Sequence, residues 1–135
     1  MLDVASVKIM VIDDDVSILE IFKEIFSGPQ FQVFTASDGP TAINEFRRQK
    51  YDLAFIDVYM PLMNGLEVLS ALRALSPQLE VIMISGFHNE ALLEQALRQG
   101  ARHYLYKPLD AHDVFAVALK CLHSLGIKNE IEPVV

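Results

Sequence analysis

Apolar residues along this chain fall into two alternating kinds of run. Lys8-Ile9-Met10-Val11-Ile12, Leu53-Ala54-Phe55-Ile56 and Val81-Ile82-Met83-Ile84 are short and almost continuously apolar, as expected of strands buried on both faces in a parallel sheet. Phe31-Gln32-Val33-Phe34-Thr35 alternates with one wetter face and reads as an edge strand, and Tyr104-Leu105-Tyr106 as a last short one. Between them the period changes to that of a helix. Ile18, Leu19, Ile21, Phe22, Ile25 and Phe26 recur at helical spacing up to Gly28-Pro29; Ala42, Ile43 and Phe46 follow the cap signals Ser37-Asp38-Gly39-Pro40. Leu66, Val68, Leu69 and Leu72 carry a third helix to Ser76-Pro77. Leu93, Ala96 and Leu97 mark a fourth from Asn89 to Gln99, with Gly100 as its left-handed terminator. Val114, Phe115, Ala118, Cys121, Leu122 and Leu125 form a fifth, opened by Asp110 or Asp113. Asp15 or Ser17 caps the first.

Five strands alternating with five helices imply parallel strands joined by right-handed crossovers. The expected class is α/β, a three-layer doubly wound five-stranded parallel sheet. In such sheets ligands bind beyond the carboxyl ends of the strands. The residues standing there are polar: Asp13-Asp14-Asp15 after the first strand, Asp57 after the third, Ser85 after the fourth, Lys107 after the fifth.

With 135 residues the chain is one domain's worth, read as a unit over residues 1–126 with 127–135 as a tail or linker stump. Hydrophobic residues reach 52%, yet no apolar run approaches the ~20 residues needed to span a bilayer. Met1-Leu2-Asp3-Val4 has no basic stretch leading into an apolar one, so a soluble, cytoplasmic protein with no membrane association is expected. The single Cys121 has no internal disulfide partner, and no Cys/His spacing suggests zinc. A formal charge of −7, with the basic residues scattered along the chain, argues against a nucleic-acid face and suits hard cations and basic partners. His88, His103, His112 and His123 show no ligand spacing and are expected at the surface or rim.

Three carboxylates on one edge repel one another, each pair by on the order of 4 kcal/mol at ~4 Å and an effective dielectric of ~20. Magnesium offsets such a set naturally, because it takes one or two carboxylates, keeps waters and shares phosphate oxygens. Lys107 can hold a phosphate oxygen as a point charge and Ser85 can donate to another. Aspartate is a competent acyl-phosphate nucleophile, and phosphoryl transfer needs chiefly positioning and electrostatic stabilisation. The plain alternatives are that Asp57 caps a turn, that Asp13 and Asp14 cap a helix as Asp15 does, and that Ser85 is a turn residue.

Taken in order, Asp13-Asp14, Asp57 to Gly65 (DVYMPLMNG), Ser85-Gly86 and Tyr104 followed by Lys107-Pro108 resemble the receiver (phosphoacceptor) domain of two-component response regulators. The resemblance covers about Lys8 to Leu125. It implies a flavodoxin-like strand order 2-1-3-4-5, a cis bond between Lys107 and Pro108, and Asp57 as acceptor of a phosphoryl group from a histidine kinase or phosphotransfer protein. It further implies Mg2+ held by Asp14, Asp57 and the Tyr59 backbone carbonyl, with Asp13 acting through water and Lys107 and Ser85 on the phosphoryl oxygens. Ser85 and Tyr104 would be the switch residues, acting on the face of the fourth helix, fifth strand and fifth helix. The chain would catalyse only its own phosphorylation and dephosphorylation.

Two further expectations concern the surface. Tyr59 and Phe87, two residues beyond Asp57 and Ser85, should crowd the acyl phosphate and slow its hydrolysis. Phe115, Leu119 and Leu92 are expected near the surface beside Tyr104, as a face for a homodimer or for a helix of the full-length protein. Two rival classes stand beside this reading. One is a receiver-like docking module without phosphorylation; the other is a flavin-binding or phosphatase domain, disfavoured because no glycine-rich loop follows Ile12 and Tyr59 stands where a second catalytic aspartate would be.

Overall fold

The computed structural model describes residues 6–125. The expected boundary at 126, the tail 127–135 and the Met1–Val4 segment lie outside the described residues. Strands β1 (Val7–Ile12), β2 (Phe31–Ala36), β3 (Leu53–Asp57), β4 (Glu80–Ser85) and β5 (His103–Tyr106) alternate with helices α1 (Val16–Ile25), α2 (Gly39–Arg48), α3 (Gly65–Leu75), α4 (Glu90–Arg98) and α5 (Ala111–Ser124). The sheet is parallel throughout, in the expected order β2-β1-β3-β4-β5.

Alternation along the central strands splits the core in two. Met10, Ile12, Ala54, Ile56, Val81 and Met83 face α2, α3 and α4, whereas Ile9, Val11, Leu53, Phe55, Ile82 and Ile84 face α1 and α5. Both faces are covered, which is why these runs read as continuously apolar. Cys121 belongs to the second core, where burial pushes its thiol up to about 12, so it packs rather than reacts.

Caps fix where each helix begins. Asp15, Asp38, Asn64, Asn89 and Asp110 each accept a backbone N–H from the first turn, and Asn64 with Glu67 completes a reciprocal capping box. Gly100 takes a φ of 103°, open to glycine at little cost, and ends α4 as expected. Helix α1 stops at Ile25 with Phe26 as its cap, before Gly28-Pro29 can act.

Three burial expectations are corrected. Leu97 is exposed and α4 buries only Ala96. Ile21 points outward from α1. Phe115, expected near the surface, is buried against Phe26 and Phe31 at ring distances of 5.6 and 5.9 Å. The aromatic cluster beneath α1 claims that side chain, so the expected partner face loses its largest member; Leu119 and Leu92 are half-buried. Among the described residues no helix is long and apolar enough to cross a membrane.

Candidate functional site

Parallel strands all end on one edge, and that is where the polar residues gather. At the end of β1 the three acids divide their work. Asp13 is fully buried and its Oδ1 accepts from the Asp15 N–H at 2.9 Å, a local turn that swings the chain into α1. Asp15 caps that helix, accepting from the Ser17 N–H at 3.0 Å and its hydroxyl at 2.7 Å; these bonds hold its carboxyl below the usual range. Asp14, between them, is exposed.

Asp57 is the last residue of β3 and only 4% exposed. The Gly65 N–H donates to the Val58 carbonyl at 2.7 Å, folding the loop back so closely that a Cβ on Gly65 would run into the Asp57 carbonyl. This glycine is therefore required by approach. One carboxylate oxygen each from Asp13, Asp14 and Asp57 lies within 4.8 Å of the others.

Lys107, following β5 and the cis bond to Pro108, reaches this cluster. Its Nζ is 3.0 Å from Asp13 Oδ2 and 3.7 Å from Asp57 Oδ2. The first contact is a short ion pair that gives the buried Asp13 Oδ2 its counter-charge. Burial alone would depress the Lys107 ammonium, but contact with Asp13 and the charges of Asp57 and Asp15 raise it. Asp57 goes the other way from a normal acid. Burial first, then the Asp13 charge, push its carboxyl up to about 7, with Lys107 opposing.

Ser85, fully buried at the end of β4, stands on the same edge. Its hydroxyl is already engaged: it donates to the Phe87 carbonyl and accepts from the Phe87 N–H, both at 3.0 Å. Nothing in the sequence signals this tie. Tyr104 is half-buried on β5, with a phenol that burial raises and that the neighbouring Ser85 hydroxyl pulls the other way. Its ring lies 5.2 Å from Tyr106, on which exposed His88 stacks at 4.6 Å. Tyr59 and Phe87 are exposed and meet edge to face at 5.2 Å. His88, His112 and His123 are exposed and His103 half-buried, none of them joining the acidic cluster.

The arrangement thus brings two buried carboxylates and an exposed one within 4.8 Å, a set that could hold a metal ion, with an ammonium beside them. Comparison with known proteins agrees. The response regulator receiver domain model matches residues 9–118. The transcriptional regulatory protein ZraR of Escherichia coli is 33% identical over 126 residues, 93% of this chain; the chain spans only 29% of that protein's length. A CheY-like receiver domain structure from Methanospirillum hungatei superposes with a TM-score of 0.87 at 25% identity, over 90% of this chain and 98% of that one. The CheX-CheY complex of Borrelia burgdorferi, solved with BeF3 and magnesium, gives 0.78 at 29% identity, over 92% of each chain. Family match, strand order and acidic edge coincide over nearly all the described residues, and this chain belongs to the response regulator receiver domains, phosphoacceptor signalling modules of two-component systems.

Proposed function

We propose that Asp57 is the phosphoacceptor, served by Asp13, Asp14, Lys107 and Ser85, and that the donor is a phosphohistidine on a histidine kinase or phosphotransfer protein. The observation carrying this is the convergence of three carboxylates within 4.8 Å with Lys107 3.0 and 3.7 Å from two of them. A divalent cation fits the residues present, because two buried acids, Asp13 and Asp57, and the exposed Asp14 bring carboxylate oxygens within 4.8 Å of one another. Exposed Asp14, Asp57 and the Tyr59 carbonyl are the groups that would hold it, with Asp13 acting through water. Magnesium, as in the Borrelia complex, would supply positive charge to the Asp57 carboxylate and the phosphoryl oxygens.

An Asp57 oxygen attacks phosphorus as the phosphorus–nitrogen bond to imidazole breaks. The electron pair leaves with the ring nitrogen, which takes up a proton. Lys107 already sits where it can hold a phosphoryl oxygen. Ser85 must first release Phe87 before its hydroxyl can donate to another. That release, with Tyr104 turning into the space vacated, would pass the event to α4, β5 and α5 and so to an output or a partner. A docking module without phosphorylation would have no use for two buried acids that repel each other.

Mass measurement after incubation with magnesium and acetyl phosphate tests the reading. One phosphoryl group is expected, absent in Asp57→Asn and absent without metal. A chain that stays unmodified with ample donor and metal overturns it.

A further inference from the structure

A cleft of about 670 Å³ opens at the edge of the sheet opposite Asp57, where α3, α4 and α5 end and β4 and β5 begin. None of the residues assigned to phosphoryl transfer lines it, but two arginines do. Arg73, in the last turn of α3, is half-buried and held from two sides. Its Nη1 donates to the Leu79 carbonyl at 2.6 Å, and its Nε, Cζ and Nη2 lie 3.0 to 3.1 Å from where a Cβ on Gly100 would stand. The guanidinium therefore lies flat over that glycine, in space that a side chain would otherwise take. Among the described residues nothing accepts from its Nε and Nη2, the edge that matches both oxygens of a carboxylate.

Arg102, in the turn between α4 and β5, donates from Nε to Glu80 at 2.8 Å. This contact neutralises the one acid that lines the cleft among the described residues and leaves both terminal amino groups of Arg102 without an acceptor there. Two positive charges thus face one negative charge, in a chain whose net charge is −7. The carbonyls that close α4 and α5 do not oppose an anion strongly, because they are already engaged: Leu97 and Ala96 accept from the Gly100 and Ala101 N–H groups, and Cys121 from the Ser124 hydroxyl at 2.7 Å. Leu97 supplies the apolar half. Helical spacing assigns it to the core, yet it is 46% exposed and lines the cleft with half-buried Leu125. A lone exposed leucine means little. Beside two open guanidinium edges, in a hollow within the range of roughly 300–1,000 Å³ that small-molecule sites occupy, it completes a site.

We infer that this cleft binds a small organic carboxylate with an apolar body, the carboxylate held by Arg73 and Arg102 and the body laid against Leu97 and Leu125. An inorganic anion satisfies only the arginines, and an amine only the apolar wall. Because Arg73 belongs to α3 and Leu97 to α4, the occupant fastens the end of α4, which buries only Ala96, to its neighbour.

The test uses the full chain, metal-free and unphosphorylated, so that its outcome is independent of the phosphoacceptor reading. Phenylbutyrate, phenylbutylamine and acetate are titrated separately at about pH 7, where both arginines are charged, and followed by amide NMR shifts and hydrogen exchange. Phenylbutyrate is expected to move the Gly100, Ala101, Arg102 and Leu125 amides with a Kd on the order of 1 mM and to slow exchange in α4, the amine and acetate each binding there at least about tenfold more weakly. Arg102→Gln should weaken phenylbutyrate about fivefold by removing a charged donor, and Leu97→Asn about threefold by removing apolar contact. Both side chains are exposed, so both variants keep a folded spectrum. Asp57→Asn should bind as the parent does. Equal binding of all the probes, shifts centred on Lys107 instead, parental affinity in either cleft variant, weakened binding in Asp57→Asn, or unchanged exchange in α4 at saturation overturns the inference.

Discussion

Asp57 and Glu45 are both buried acids in the same small domain, yet their surroundings drive them in opposite directions. Glu45, near the edge where β3 starts, accepts from the Gln49 amide at 2.9 Å, the Tyr51 hydroxyl at 2.6 Å and the Arg48 guanidinium at 3.3 Å. Gln49 first, then Tyr51, hold its carboxyl below the usual range. Burial of Tyr51 and the neighbouring Glu45 in turn drive that phenol upward. Arg102 and Glu80, bonded at 2.8 Å, repeat the pattern beside β4. At the other edge Asp57 has Asp13 for a neighbour and one ammonium at 3.7 Å. A buried acid given donors is structural. One left with another acid is held in readiness for a cation or a phosphoryl group.

The sharpest way to break this contrast is Asp57→Asn in the metal-free protein. Burial and the Asp13 charge push the Asp57 carboxyl up to about 7 in the fold from its ordinary 3.8, so the native state binds this proton more tightly. Its stabilising contribution is therefore complete below about pH 4 and lost as pH rises through about 7. Asparagine carries no charge to desolvate, so at about pH 8 the variant should be more stable than the parent by on the order of 2 kcal/mol, and near pH 4 the gain should disappear. Urea midpoints at the two pH values measure it; a difference independent of pH would remove the case for a destabilised acid.

The opposite edge should respond with the opposite sign. Tyr51→Phe deletes the short donor to Glu45 and leaves that acid partly unpaired, so melting should fall by roughly 5 °C. An unchanged melting curve would mean that Glu45 is satisfied by Gln49 and water alone. The smallest effect concerns the lifetime of the modified site. Tyr59 and Phe87, two residues beyond Asp57 and Ser85, meet edge to face at 5.2 Å, and the expectation is that they crowd an attacking water. Tyr59→Asn and Phe87→Glu should each speed loss of the phosphoryl group by about threefold to tenfold, under ~1.4 kcal/mol of barrier. Equal or slower loss would show that these rings do not govern water access.

The helices on the β4 and β5 side sharpen the contrast further. Helix α3 buries Gly65, Leu66, Val68, Leu69 and Leu72, whereas α4 buries Ala96 alone. The phenol of Tyr106, on β5, lacks a hydrogen-bond partner, as does the buried Gln99 oxygen at the end of α4. An element held by so few apolar contacts opens at low free energy. It is also the one that the tie between Ser85 and Phe87 would release.

Much of this was written in local pattern. Continuous apolar runs gave the buried strands, helical spacing and Asp, Asn and Gly caps gave the helices, and the polar residues closing β1, β3, β4 and β5 named the functional edge, because strand direction and burial are periodic properties. Other features depended on neighbours remote in the chain. Periodicity assigns Leu97 and Phe115 to a helix face but cannot say which part of that face meets the sheet, so one proved exposed and the other buried. The pairing of Lys107 with Asp13, the engagement of Ser85 by Phe87 and the raised Asp57 carboxyl depend on distances of a few ångströms between separate loops. Residue identity alone sets which group is acidic; only the packed structure sets how far each acid stands from water, from donors and from another negative charge.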